Sequence, residues 1–352
     1  MKYLRIILIA WICLGLFNTA LGDEIVLKDQ HPTNYVIKRG DTLWDIASRF
    51  LRDPWRWPDI WYVNPQIHNP HLIYPGDEVV LTFKDGVPRL ELRRGNSDGL
   101  RVIKLSPEVR REQLRRPIPT IPIDAIQQFL SRPRVMTSSE LDAAPYIVSS
   151  QDEHLIAGVG DKIYVKGIIP SETKRYTIVR SSQEYRNSKQ EGGKVLGKEA
   201  LHVGDALVTQ FGSVASLEVT GSSREVLVGD RLVPALAEEL DYSFMPHAPE
   251  NQVRGQIIAV VDGVSRIGQY QVVVINRGAS QGIEKGHVLA IYQTGTKVRN
   301  QVQKQMFGTS SVVLPDEKTG YLMVFRAFEK VSYAIIMKAT RDMRVYDMVV
   351  NP

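Results

Sequence analysis

The sequence has one cysteine in 352 residues, and Cys13 lies inside an N-terminal apolar run. Without that run no thiol remains, so disulfides and cysteine nucleophiles are excluded and the fold must stand on core packing. Long apolar stretches are equally scarce. Ile6 to Phe17 is too short to span a bilayer as a helix, follows Lys2 and Arg5, and leads to the small residues of Ala20-Leu21-Gly22. The expectation is a signal peptide over 1–22, cleaved before Asp23, that sends the chain to the periplasm. Asp23, Glu24 and Lys28 follow at once, which argues against an uncleaved anchor, and Ala10-Trp11-Ile12 before Cys13 does not make a lipobox. An excess of one charge is missing too. The chain has 44 basic and 39 acidic side chains, two of the basic ones in the leader, so the pI near 9.1 gives no footing for nucleic acid. The chain beyond the leader is long enough for two or three domains, each with its own core.

From Tyr35 to Phe83 the pattern reads strand, helix, helix, strand. Tyr35-Val36-Ile37 is a β-type run, and Lys38-Arg39-Gly40-Asp41 is a polar turn. Thr42 can cap a helix with Asp45 reaching back, and Leu43, Ile46, Ala47 and Phe50 form its apolar stripe. A second helix is expected from Pro58, burying Ile60 and Trp61 and stopping at Asn64-Pro65. Asn69-Pro70 turns the chain, Ile73-Tyr74-Pro75-Gly76-Asp77 is another tight turn, and Glu78 to Phe83 is a closing strand. Trp44, Trp55, Trp57 and Trp61 all lie here. Trp44 and Trp61 read as core, whereas Trp55 and Trp57 fall on a long inter-helix segment where they either widen a binding face or cover the second helix.

This segment, with Tyr35 to Ala47, Asn64-Pro65 and Ile73 to Asp77 as its landmarks, closely resembles LysM. The resemblance implies a βααβ fold that binds N-acetylglucosamine units of peptidoglycan or chitin. The implied groove lies between Gly40, Asp41, Thr42 and Leu43 on one side and Asn69, Pro70, His71, Leu72 and Ile73 on the other. Backbone amides and carbonyls in two turns suit a neutral acetamido sugar.

Beyond this module (34–83) the expected layout is a charged and proline-rich linker with one short helix (84–144), then β-rich domains over 145–250 and 251–352. Pro117-Ile118-Pro119-Thr120-Ile121-Pro122 favours extended polyproline geometry, and Asp124 to Leu130 reads as the helix. From Pro145 short β-type runs alternate with glycine turns. Gly160-Asp161, Gly204-Asp205 and Gly229-Asp230 each precede such a run, as in repeated turn-into-strand units of a barrel or sandwich. The fold class is therefore multidomain: a small α+β module followed by β-rich barrel or sandwich-like domains. The C-terminal block carries Asn276-Arg277-Gly278, Gly282, Gly286 before His287-Val288-Leu289, and Val324-Phe325-Arg326. It resembles the C-terminal domain of the flagellar assembly protein T family. The whole layout is similar to the type IV pilus secretin-associated family, which implies a periplasmic protein tying an outer-membrane secretin to the wall.

LysM modules are often joined to wall hydrolases, so an enzyme is the rival class. His68 and His71 lack an evident third metal ligand. Gly278-Ala279-Ser280-Gln281-Gly282 matches a serine-hydrolase pattern without the helix it needs, and Gly192 to Lys198 imitates a phosphate loop with Glu199 where serine or threonine belongs. The reading is a non-enzymatic peptidoglycan-binding protein with no catalytic residue, metal or cofactor, and with a secretin as partner. An envelope or division adaptor without a secretin stands second, a wall hydrolase third.

Overall fold

The computed structural model describes residues 25–61, 73–94, 117–131, 134–151, 155–170, 173–235, 244–261, 266–304 and 309–352. The expected leader and Asn64-Pro65 lie outside these. Among them no helix is long and apolar enough to cross a membrane. The chain divides into two compact units, 1–118 and 119–352.

The first unit contains β1 (Asn34–Val36), α1 (Leu43–Phe50), α2 (Trp57–Trp61), β2 (Glu78–Lys84) and β3 (Val87–Arg93), with sheet order β1-β2-β3. Thr42 caps α1 as expected: its Oγ1 accepts the Asp45 amide at 3.1 Å, and Asp45 accepts the Thr42 amide at 3.2 Å. The second helix starts at Trp57, one residue early, because Pro54 opens a 3-10 turn over Pro54–Arg56 that runs straight into it. Trp57 is consequently core. It meets Trp61 edge to face at 6.4 Å.

Residues after Lys84, expected as spacer, continue the sheet. Asp85 (φ 53°) and Gly86 (φ 80°) make a two-residue hairpin of the kind that matches strand twist. β3 then pairs along all of β2, setting Leu90 opposite Leu81 and Leu92 opposite Val79. Ile118 also returns to this unit, donating its amide to Ile73 O at 2.8 Å and burying its side chain.

The second unit opens with α3 (Ile123–Ser131), β4 (Arg134–Met136) and α4 (Ser138–Ala143). Next come β5 (Tyr146–Ser150), β6 (Ile156–Ala157), β7 (Lys162–Lys166), β8 (Arg175–Arg186), β9 (Val195–Gln210), β10 (Val214–Ser222), β11 (Val226–Leu227) and β12 (Arg231–Pro234). Their order is β10-β7-β5-β12-β8-β9, with β4 added to β9, and the β10–β9 pairing closes the sheet on itself. The last elements are β13 (Arg254–Val260), β14 (Val272–Ile275), β15 (Val288–Gln293), β16 (Lys297–Lys304), β17 (Thr309–Val313), β18 (Glu317–Ala327), β19 (Ser332–Ala339) and β20 (Met348–Val350). β16 and β17 form a separate ribbon, while the others close a second barrel in the order β13-β14-β19-β18-β15-β20. Numbered one to six along the chain, the main strands of both barrels follow the same ring: one, two, five, four, three, six. Each encloses an aliphatic core, around Ile163, Ile178 and Leu217 in the first and Val273, Leu289 and Ile336 in the second.

One turn recurs throughout. At 38–41, 74–77, 158–161, 227–230, 268–271, 284–287 and 344–347, the fourth residue's side chain accepts the first residue's amide at 2.7–3.1 Å. The third residue has positive φ each time, as a type II turn requires. In six of these turns the third and fourth residues also bracket one opposite residue by two backbone bonds: Ile37, Val219, Ile147, Ile336, Val324 and Ile257. All six are buried aliphatics. Gly204-Asp205 does not belong to the set. It lies inside β9, where a Cβ on Gly204 would come within 2.5 Å of Gly221 O, so close strand approach explains that glycine.

Candidate glycan-binding site

The first turn of the module is held from several sides. Asp41 accepts the Lys38 amide at 2.8 Å and the Tyr35 hydroxyl at 2.9 Å. Arg49 lies 4.3 Å above the Tyr35 ring. Burial, followed by the bond to Asp41, holds the Tyr35 phenol above its ordinary pKa.

The second turn, Tyr74 to Asp77, is tied to the first by Ile37, whose amide donates to Asp77 O and whose carbonyl accepts the Gly76 amide. Arg94, just past β3, reaches back to Asp77 at 3.0 Å and covers the Tyr74 ring at 5.6 Å. Ile73 carries the Ile118 amide on its carbonyl. The loop ahead of β2 is thus braced by residues that follow the sheet.

Of the expected groove residues, Gly40 and Asp41 stand at the surface of the first turn. Thr42, Leu43 and Ile73 are 4%, 2% and 0% exposed, so their side chains belong to the core of the module and are not presented to a sugar. Asn69, Pro70, His71 and Leu72 lie outside the described residues. So do His68 and the rest of the inter-turn loop. Trp44, Trp57 and Trp61 are core, while Trp55 is half-buried beside Arg56.

The module is thus a small sheet with two helices and two braced turns joined through Ile37. Residues 35–82 match the LysM domain. LysM domains bind peptidoglycan. A 58-residue stretch is 40% identical to the uncharacterized protein YqbP of Bacillus subtilis (strain 168), covering 14% of this chain and 26% of that protein. The chain therefore spans about a quarter of the length of that curated relative.

Other polar groups are engaged structurally. Ser280 lies in a 3-10 turn, Ala279–Gln281, and its hydroxyl and amide both bond to Glu329 O, at 2.6 and 3.0 Å. Gly192 to Lys198 is the tip and first arm of the β8–β9 hairpin, with Lys198 3.4 Å from Glu184. His202 bridges Ser223 at 3.2 Å and Asp205 at 3.3 Å, a relay-like trio invisible to motif reading. Yet the amides of Ser223 and Arg224 both donate to Val203 O, so this pair is not free to hold an oxyanion.

The sequence reading also missed His247, Glu284 and His287, whose donor atoms lie within 4.8 Å of one another. Only the parallel bridge between His247 and His287, far apart in sequence, brings them together. His247 Nδ1 is 3.0 Å from Met245 O, which would leave Nε2 available for a metal. His287 Nδ1, however, accepts the Glu284 amide at 3.1 Å, so its neutral ring carries the proton on Nε2. Coordination through both histidine Nε2 atoms would break the turn, and the trio does not fit a metal. Burial and then His247 lower the pKa of His287, in keeping with a neutral structural acceptor.

Proposed function

We propose that the chain is a non-enzymatic periplasmic adaptor that binds peptidoglycan through its LysM module and anchors an outer-membrane complex, the type IV pilus secretin, to the wall. The observation that carries the wall-binding half is the pair of braced turns within residues 35–82. The secretin half rests on the resemblance of the whole layout to the secretin-associated family and of the last block to the flagellar assembly protein T family. Export by the leader at 1–22 supplies the compartment this role needs.

A shallow groove for a neutral sugar binds weakly, with a few hydrogen bonds at about 1 kcal/mol each offsetting the cost of association. Several copies attached to one ring would add avidity on the order of a hundredfold or more. The test is twofold. Residues 25–118 should sediment with insoluble peptidoglycan and residues 119–352 should not. In cells, removing 25–118 should leave the secretin assembled but loosely held, and removing 145–352 should end co-purification with it. Normal surface pili and normal co-purification in both deletions would sink the secretin role and leave the wall tether.

A further inference from the structure

We infer that copies of this chain join head to tail, the β16–β17 ribbon of one copy seating on the first barrel of the next. The inference goes beyond the proposed partner and does not depend on it. It starts from the joint inside the chain. In both barrels the connection between the third and fourth strands extends past the ring. In the first barrel this extension is the outer part of β8 and β9, and it lands on the second barrel. There Asn276 Nδ2 donates to Asn187 at 2.9 Å and to Glu191 at 2.7 Å, and the buried hydroxyls of Tyr185 and Tyr333 meet at 3.1 Å. The landing place is a corner built from the end of strand two (β14), the start of strand five (β19) and the turn before it, where Phe328 packs 5.1 Å from Tyr333.

The second barrel carries the corresponding extension, β16–β17, between its third and fourth strands. Val298, Val312, Val313 and Leu314 are exposed along it, Val313 by 63%. A two-stranded ribbon is marginal in water without a third layer. The first barrel has the corresponding corner: the end of β7, the start of β10 with Val214 opposite Lys166, and the turn at Phe211. There Val214 is exposed and Ile169 is 79% exposed. The corner that is covered in the second barrel is thus open in the first, and the extension that is docked from the first barrel has its apolar side chains open in the second. One joint is made within the chain, and the halves of a second are left uncovered, the ribbon on the second barrel and the corner on the first. A contact of this heterologous kind repeats into a ring where the rotation closes and a filament where it does not.

The ribbon sequence from Lys297 to Val313 holds Lys297, Arg299 and Lys304 and no acidic residue, so an anionic surface is the competing ligand. Purified full-length chain is measured by light scattering and sedimentation over a concentration series, beside Val313→Asp and a double variant, Ile169→Asp with Val214→Asp. Circular dichroism confirms that each is folded, as expected for exposed sites. The wild type should grow past the dimer with concentration, and each variant alone should stay monomeric. A one-to-one mixture of the two variants should stop at dimers, because the ribbon of one and the corner of the other remain intact. A monomeric wild type at every concentration, variants that assemble like the wild type, or a mixture without dimers each overturns the inference. So does ribbon-dependent binding to phosphatidylglycerol vesicles without self-association.

Discussion

The two barrels share a strand order and a turn, but they furnish the turn with different residues. In the first, Gly160 and Gly229 take the positive φ and Asp161 and Asp230 supply the acceptor. In the second, Tyr270 (φ 66°) and Tyr346 (φ 77°) replace glycine in two of three turns, and Gln271 and His287 replace aspartate in two. The difference teaches that the fold selects a geometry and an acceptor atom, not a dipeptide. A left-handed non-glycine costs roughly 1–2 kcal/mol. It persists where the surroundings over-determine it, here through the two backbone bonds to Ile336 and Ile257.

The comparison can be broken most directly at the last turn of each barrel. Asp230 is buried and accepts Arg180 twice, at 2.7 and 2.8 Å, besides the Leu227 amide, whereas Asp347 accepts the Arg344 amide. Asp230→Ala should cost about 3 kcal/mol in urea unfolding and Asp347→Ala about 1 kcal/mol. Equal losses would show that the arginine clamp adds nothing. Next in size, Gly229→Ala should cost about 1 kcal/mol through φ alone, since a Cβ there has open space. Tyr346→Gly should change stability by less than about 0.5 kcal/mol, strain relief offsetting the entropy of glycine. A large loss from it would mean that the tyrosine ring, not the turn, holds that corner.

Smaller effects concern pH. Because folding lowers the His287 pKa from its ordinary 6.5, its contribution is present above that pH and is lost as pH falls below it. His287→Asp, which restores the acceptor used elsewhere, should remove that acid-side loss from thermal melts between pH 7 and 5; an unchanged profile would place the sensitivity elsewhere. Burial pushes the Tyr185 phenol up to about 12, so its contribution is present below pH 10 and is lost as pH rises towards 12. Tyr185→Phe should flatten the alkaline limb and cost about 1 kcal/mol at neutral pH. If the limb keeps its shape, Tyr185 is not its source.

Much of this was legible where the chemistry is local. The LysM turns, the Thr42 cap and the strands of both barrels follow from residues within reach of one another. Asp85-Gly86 carried a hairpin signal, but the charges of Arg89, Glu91 and Arg93 masked the alternation with Leu90 and Leu92 that makes β3 a strand. Turns centred on Tyr270 and Tyr346 give no glycine to read. Burial of Leu43 and Ile73 comes with packing in a core that includes Ile118 and Leu90 of β3, which lie far off in sequence. Barrel closure by β9 and β10, and the meeting of His247 with His287, are likewise pairings that only the folded chain supplies.

The bracketed aliphatics also set an order of events. Ile147 in the opening strand of the first barrel is held by Gly229 and Asp230, just ahead of that barrel's closing strand, and Ile257 is held in the same way by Tyr346 and Asp347. Neither barrel can complete its first strand until its last has been made. Such contacts have high contact order and form slowly, because a long loop must close before anything rewards it. The first barrel therefore stays open until about residue 235 is free, and the second until the final residues are. A chain with this wiring closes each barrel last at the turn that precedes its sixth strand, so slowing that turn slows the whole barrel.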